Sequence, residues 1–241
     1  MKSTNFIIED GMLVSYSGGH TDLILPDFIT SIGKFAFEDC KELENITIPE
    51  SVTSIGDDAF CGCTNLTNII IPDSVTKIGS GAFALCKNLK SIKFPKSIKL
   101  IKDDAFKGCE KLMEITLPKS VTKIGECAFA RCKSLTKVTL SNSLKHIDDG
   151  AFCYCENLTD IAIPNTVTTI GEYAFACCSK LTRAIMPDSI NNIGVGAFLM
   201  CDNLENFILP KHLYDVVNID DILIRTSDTW RTLEHIFKVP N

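Results

Sequence analysis

Residues 43–65 read LENITIPESVTSIGDDAFCGCTN, and this stretch decides the fold. Ile46 and Ile48 flank Thr47, so both point to one side of a short strand. Pro49 ends that strand, because it has no N–H for a ladder, and it suits the second position of a turn. Val52 and Ile55 fit a second short extended segment. Gly56 fits a sharp bend that needs a permissive backbone. Asp57 and Asp58 stand where they would cap a short helical turn carrying Ala59, Phe60 and Cys63.

The same pattern recurs every 23 residues without an insertion. Proline stands at 26, 49, 72, 95, 118, 164, 187 and 210, with Ser141 in the one vacant step. Phenylalanine recurs from Phe37 to Phe198, cysteine from Cys40 to Cys201 and leucine from Leu43 to Leu204. At the bend, Lys102 and Asp148 take the place of glycine. Each unit offers about eight inward side chains (Leu, Ile, Ile, Val, Ile, Ala, Phe and Cys), which one coil alone has no second layer to enclose. Coils stacked roughly 4.8 Å apart do enclose them. Burying a large apolar side chain contributes about 1.5–3 kcal/mol, largely offset by about 1–2 kcal/mol of ordering per backbone residue. Stability therefore resides between units, in a single solenoid domain.

The unit SVTSIGDDAFCGCTNLTNIIIP, residues 51–72, resembles the BspA-like leucine-rich repeat family, whose repeats read roughly S-V-T-x-I-G-x-x-A-F-x-x-C-x-x-L-x-x-I-x-I-P. The match runs over residues 23–210, and FIIEDGMLVSYSG, residues 6–18, is similar to the cap that precedes many such arrays. The resemblance implies an α/β fold: a right-handed leucine-rich repeat solenoid with a curved parallel β-sheet and short helical turns or short strands on the other side. It also implies protein binding, often adhesion at cell surfaces, and offers no catalytic residues to carry over. The expected organisation is an N-terminal hairpin-like cap over 1–22, eight repeats over 23–210, and a C-terminal cap over 211–241. In that last segment SDTWRTLEHIFK, residues 227–238, sets Trp230, Leu233, Ile236 and Phe237 at helical spacing behind an N-cap serine. A capping helix is the plain reading, and a docking helix for another protein is the alternative.

The 241 residues carry a net charge of −6 and a pI near 5.3, so no global basic footprint points to nucleic acid. No apolar run approaches the roughly 18 residues of a membrane span. The opening residues lack the apolar centre of a secretory signal, so the chain as given reads as cytoplasmic, or as surface-exposed or secreted if an export signal was removed.

Twelve cysteines raise the question of metals and disulfides. Zinc needs four ligands in a tetrahedron with sulfurs about 2.3 Å from the metal, whereas stacked thiols form a line. No C-x-x-C pair occurs; Cys61/Cys63 and Cys153/Cys155 are C-x-C. The ladder cysteines read as small buried hydrophobes. Of those off the ladder, Cys61 and Cys153 lie four coils apart, too far to bridge, and the thiols are expected to stay free. GSGAF (79–83) and GVGAF (194–198) contain G-x-G only because the bend glycine falls there. The four histidines are scattered, and no catalytic, cofactor or metal residues are expected.

The surface is more informative. Residues 38–58 carry seven acidic side chains against Lys41, and residues 87–111 carry eight lysines whose spacing wraps them around the coil. That spread reads as a solvated surface, with a weak site for an anionic partner as the alternative. On the strands, the outward middle residues end in the row Ala162, Ile185, Ile208, with Arg183 and Asn206 beside it. Apolar stripes with polar rims mark contacts. These five are the partner-binding candidates, unless the C-terminal segment covers them. The function expected is a non-catalytic protein–protein interaction scaffold. An exported adhesin is the alternative, and an enzyme using the C-terminal segment a remote one; partner and oligomeric state stay open.

Overall fold

The computed structural model of the chain describes residues 5–214 and 218–223. An antiparallel hairpin opens it, β1 (Phe6–Glu9) and β2 (Met12–Tyr16), turning through Asp10 and Gly11, both left-handed. Two series of short parallel strands follow. The first contains β3 (Asp22–Ile24), β5 (Asn45–Thr47), β7 (Asn68–Ile70), β9 (Ser91–Lys93), β11 (Glu114–Thr116), β13 (Lys137–Thr139), β15 (Asp160–Ala162), β17 (Arg183–Ile185) and β19 (Asn206–Ile208). The second contains β4 (Ser31–Ile32), β6 (Ser54–Ile55), β8 (Lys77–Ile78), β10 (Leu100–Ile101), β12 (Lys123–Ile124), β14 (His146–Ile147), β16 (Thr169–Ile170) and β18 (Asn192–Ile193). Partners are 23 residues apart, as in Asp160↔Arg183 and Ile32↔Ile55, and β2 joins the second series through β4. The result is a leucine-rich repeat solenoid of about nine turns.

Among the described residues the other side of each coil carries no helix. It is a turn with two left-handed residues per coil, one in the column Phe35, Asp58, Gly81, Asp104, Cys127, Gly150, Tyr173, Gly196 and one in the column from Asp39 to Met200. Asp58, at φ 52°, sits in the first of these. Asp57 caps no helix of its own; its Oδ1 accepts the Ser80 N–H of the next coil at 2.9 Å. The bend glycines need a different explanation from the one their sequence suggests. Gly56 is not left-handed; a Cβ there would lie 2.6 Å from Lys34 N and 2.7 Å from Gly33 C. Close approach of neighbouring coils, rather than an unusual φ, favours glycine in that column.

Inside, the eight phenylalanines from Phe37 to Phe198 are fully buried and stack with centroids 4.9–5.4 Å apart and planes within 10° of parallel. Their backbones join the coils: the Phe60 N–H donates to Ala82 C=O at 2.8 Å, and the bond recurs down the array. Serines after the proline add a second column of bonds, as Ser51 Oγ donates to Ile29 C=O and Ser74 Oγ to Val52 C=O, both at 2.7 Å. At the C-terminal end a 3-10 turn (Lys211–Leu213) leads to the short helix α1 (Ile219–Leu223). Ile222 C=O accepts the Phe198 N–H at 3.1 Å, standing in for the missing next coil. The expected helix over 227–238 lies outside the described residues.

Phe129 sits mid-stack with rings on both faces. Phe129→Ala should lower the unfolding free energy by about 3–5 kcal/mol, read from urea denaturation. A loss under about 1 kcal/mol would mean that the stack contributes little.

Candidate functional site

On the strand face, side chains between the inward ones point to solvent. The middle column runs Ile24, Thr47, Ile70, Lys93, Thr116, Thr139, Ala162, Ile185, Ile208, and all but the half-buried Ile185 are exposed. Ala162 is the smallest member and stands between Thr139 and Ile185. The face is therefore recessed there, in a hollow of about 250 Å³. Ala162, Ile185 and Pro187, with Ile161 and Ile163, supply its apolar lining, and Asp160, Asn165 and Arg183 its polar groups.

The structure thus brings Ala162, Arg183 and Ile185 into one depression. Asn206 and Ile208 lie on the adjoining strand, opposite Arg183 and Ile185 in the pairing register, and do not line it. Asp160, Asn165 and Pro187 belong to the hollow without having been singled out. The available signal was that Asp160 pairs with Arg183 in register and that Pro187 is the repeat proline. The outward charges Glu114, Lys137, Asp160 and Arg183 alternate along the column, and none of them forms an ion pair within 4 Å among the described residues.

The lysine-rich stretch is partly neutralised within the chain. Lys96 Nζ lies 2.6 Å from Asp73 one coil back, and Lys102 Nζ reaches 3.6 Å from Asp57 two coils back. Lys102 therefore uses its place in the glycine column to span a coil.

None of the twelve cysteines is joined in a disulfide. Seven ladder cysteines share one geometry: Cys63 Sγ donates to Phe37 C=O at 3.1 Å, Cys86 to Phe60 C=O at 3.1 Å, and so on to Cys201 on Phe175 at 3.2 Å. Each sulfur therefore reaches back to the carbonyl of the preceding coil. Among the described residues no group of three or more His, Cys, Asp or Glu is placed to hold a metal ion.

A family model described as BspA type leucine rich repeat region (6 copies) matches residues 14–134 and 99–220. The chain belongs to the BspA-type leucine-rich repeat family. It is similar to the solved leucine-rich repeat protein TpLRR of T. pallidum, at 30% identity over 88% of this chain and 92% of that one, with a TM-score of 0.67. A leucine rich cell surface protein of Faecalibacterium prausnitzii shares 26% identity over 87% of this chain and 76% of its own, with a TM-score of 0.68. A leucine-rich repeat protein of Eubacterium ventriosum shares 30% identity at a TM-score of 0.65; the match covers 72% of this chain and half of that one. No curated protein matches the chain. BspA-type repeat proteins are typically interaction or surface proteins and generally non-enzymatic. Among the described residues no helix is long and apolar enough to cross a membrane.

Burial pushes the ladder thiols Cys63, Cys86, Cys109, Cys155 and Cys178 above their ordinary range and Cys132 up to about 12. The folded chain holds these protons where the unfolded chain releases them. Stability is therefore full below a pH of about 8.5 and falls as pH rises above it, by up to about 1.4 kcal/mol per pH unit for each such thiol. Urea midpoints taken at pH values from about 7 to about 10 should drop steeply over the upper half of that range, and Cys109→Ala should make the slope shallower.

Proposed function

We propose that the chain is a non-catalytic protein–protein interaction scaffold, and that its partner docks on the strand face over β15, β17 and β19. The hollow formed where Ala162 interrupts a row of larger outward residues carries this reading. Its apolar lining beside an Asp160 and an Arg183 free of close ion pairing suits an apolar side chain flanked by a polar or charged group. The coils beneath are tied by backbone bonds on every turn, so the face needs little ordering on binding.

A second reading, an exported adhesin that uses the same face on a host or matrix protein, draws support from the similar F. prausnitzii cell surface protein. Surface biotinylation of intact producing cells separates the two: labelling favours the adhesin, and purely internal protein favours the scaffold.

Ile185→Asp should cut binding of captured partners at least about tenfold, near 1.4 kcal/mol, and leave the urea midpoint within the range of surface substitutions. Val195→Asp, on the opposite turn edge, should leave the same partners bound. Equal capture by wild type and the Ile185 variant would remove this face from consideration.

A further inference from the structure

Five cysteines are half-buried, and three of them, Cys127, Cys153 and Cys177, fall on successive coils at the turn edge. Cys127 fills the first left-handed position of its turn at φ 52°, and the same position one coil later is Gly150, at φ 60°. The point that a Cβ on Gly150 would occupy lies 3.1 Å from Cys127 Sγ and 3.9 Å from Cys153 Cβ. The Cys127 thiol thus leans over the glycine into a gap whose other wall is Cys153. Backbone bonds hold both walls: Cys127 N–H donates to Asp149 C=O at 2.9 Å, and Arg131 N–H to Cys153 C=O at 2.7 Å. Cys177 Sγ lies 3.8 Å from Met200 Sδ on the following coil, and it also stands near enough to Cys153 to push that thiol up, which makes it the competing partner.

We propose that Cys127 and Cys153 form a dithiol site that exchanges with low-molecular-weight disulfides. The Cys127 thiolate attacks one sulfur of the small disulfide, whose S–S bond breaks and releases the first small thiol. The Cys153 thiolate then attacks the Cys127 sulfur of the mixed disulfide and expels the second small thiol. Two protein thiols are oxidised to one disulfide, one small disulfide is reduced to two thiols, and the two protein protons leave on those thiols. The absent side chain at Gly150 makes the second step possible. Burial raises both thiols above their ordinary value, so the exchange is slow at neutral pH and quickens as pH rises.

The test uses the full chain incubated with oxidised glutathione at a pH of about 8.5, then alkylated, digested and mapped by mass spectrometry. The expected product has lost two alkylatable thiols and two hydrogens and links Cys127 to Cys153; Cys177→Ser behaves as wild type. Gly150→Ala puts a methyl group in the gap and should slow the cross-link at least tenfold. Its backbone is tolerable, because Phe35, Asp58, Asp104 and Tyr173 carry side chains at the equivalent position. A Cys153–Cys177 link, glutathione adducts alone, or an unchanged rate in Gly150→Ala would each overturn the proposal.

Discussion

The structure depends on one repeated bond, from the N–H of each stacked phenylalanine between Phe37 and Phe175 to the alanine C=O 22 residues ahead on the next coil. This bond sets the coil spacing, and like then stacks on like. Phenylalanine rings meet at 4.9–5.4 Å in near-parallel stacked pairs because their backbones are held at that interval. The same interval explains the cysteine column. The Phe37 C=O already accepts the Cys40 N–H within its own turn, and the Cys63 thiol of the next coil uses its remaining lone pair. A thiol supplies that weak donor with little desolvation penalty, whereas a leucine or valine would leave the acceptor half-used.

A ladder of this kind needs ends that imitate a coil. At the N-terminal end Tyr16 takes the phenylalanine place: its N–H donates to Ala36 C=O at 2.8 Å, and its ring lies 5.3 Å from Phe37. At the other end α1 supplies the carbonyls, Asp221 accepting the Gly196 N–H and Ile222 the Phe198 N–H. Phe207 closes the ring stack edge-on at 5.1 Å. His212 continues the serine column, donating to Ile190 C=O at 2.8 Å in the tautomer with its proton on Nε2. Neither end repeats the 23-residue pattern, yet each reproduces its bonds.

What was legible in the sequence is what the period controls. Ile46, Ile48, Val52, Ile55, Phe60 and Cys63 are all buried, as their recurrence implied, and the outward row Ala162, Ile185, Ile208 lies on the strand face. Two features were not legible. The left-handed positions hold Asp, Phe, Leu, Arg, Tyr, Cys and Met as well as glycine, so composition carries no mark of them. The glycines that do recur, such as Gly56, report contact with the preceding coil, a property of stacking that no single unit displays. The hollow was half legible. Ala162, Ile185 and Arg183 were read as part of an apolar row with a polar rim rather than as a recess, and the contribution of Asn165 and Pro187 depends on how the turn after β15 and β17 folds beside them.

Because the inward columns fix the architecture, the outward columns are free to differ from coil to coil, and the strand face can carry a local site on a regular frame. The claim beneath this account is that register, rather than any single contact, holds the array together. The most direct measurement is the urea midpoint of two excised chains, one lacking the 23 residues 105–127 and one lacking the 22 residues 106–127. The first places Ala128 directly after Asp104 and keeps every column, so it should unfold cooperatively at a midpoint close to that of the parent. The second retains one extra residue in the turn and breaks the phenylalanine and cysteine columns, so its midpoint should fall well below. Equal midpoints for the two excisions would contradict the account.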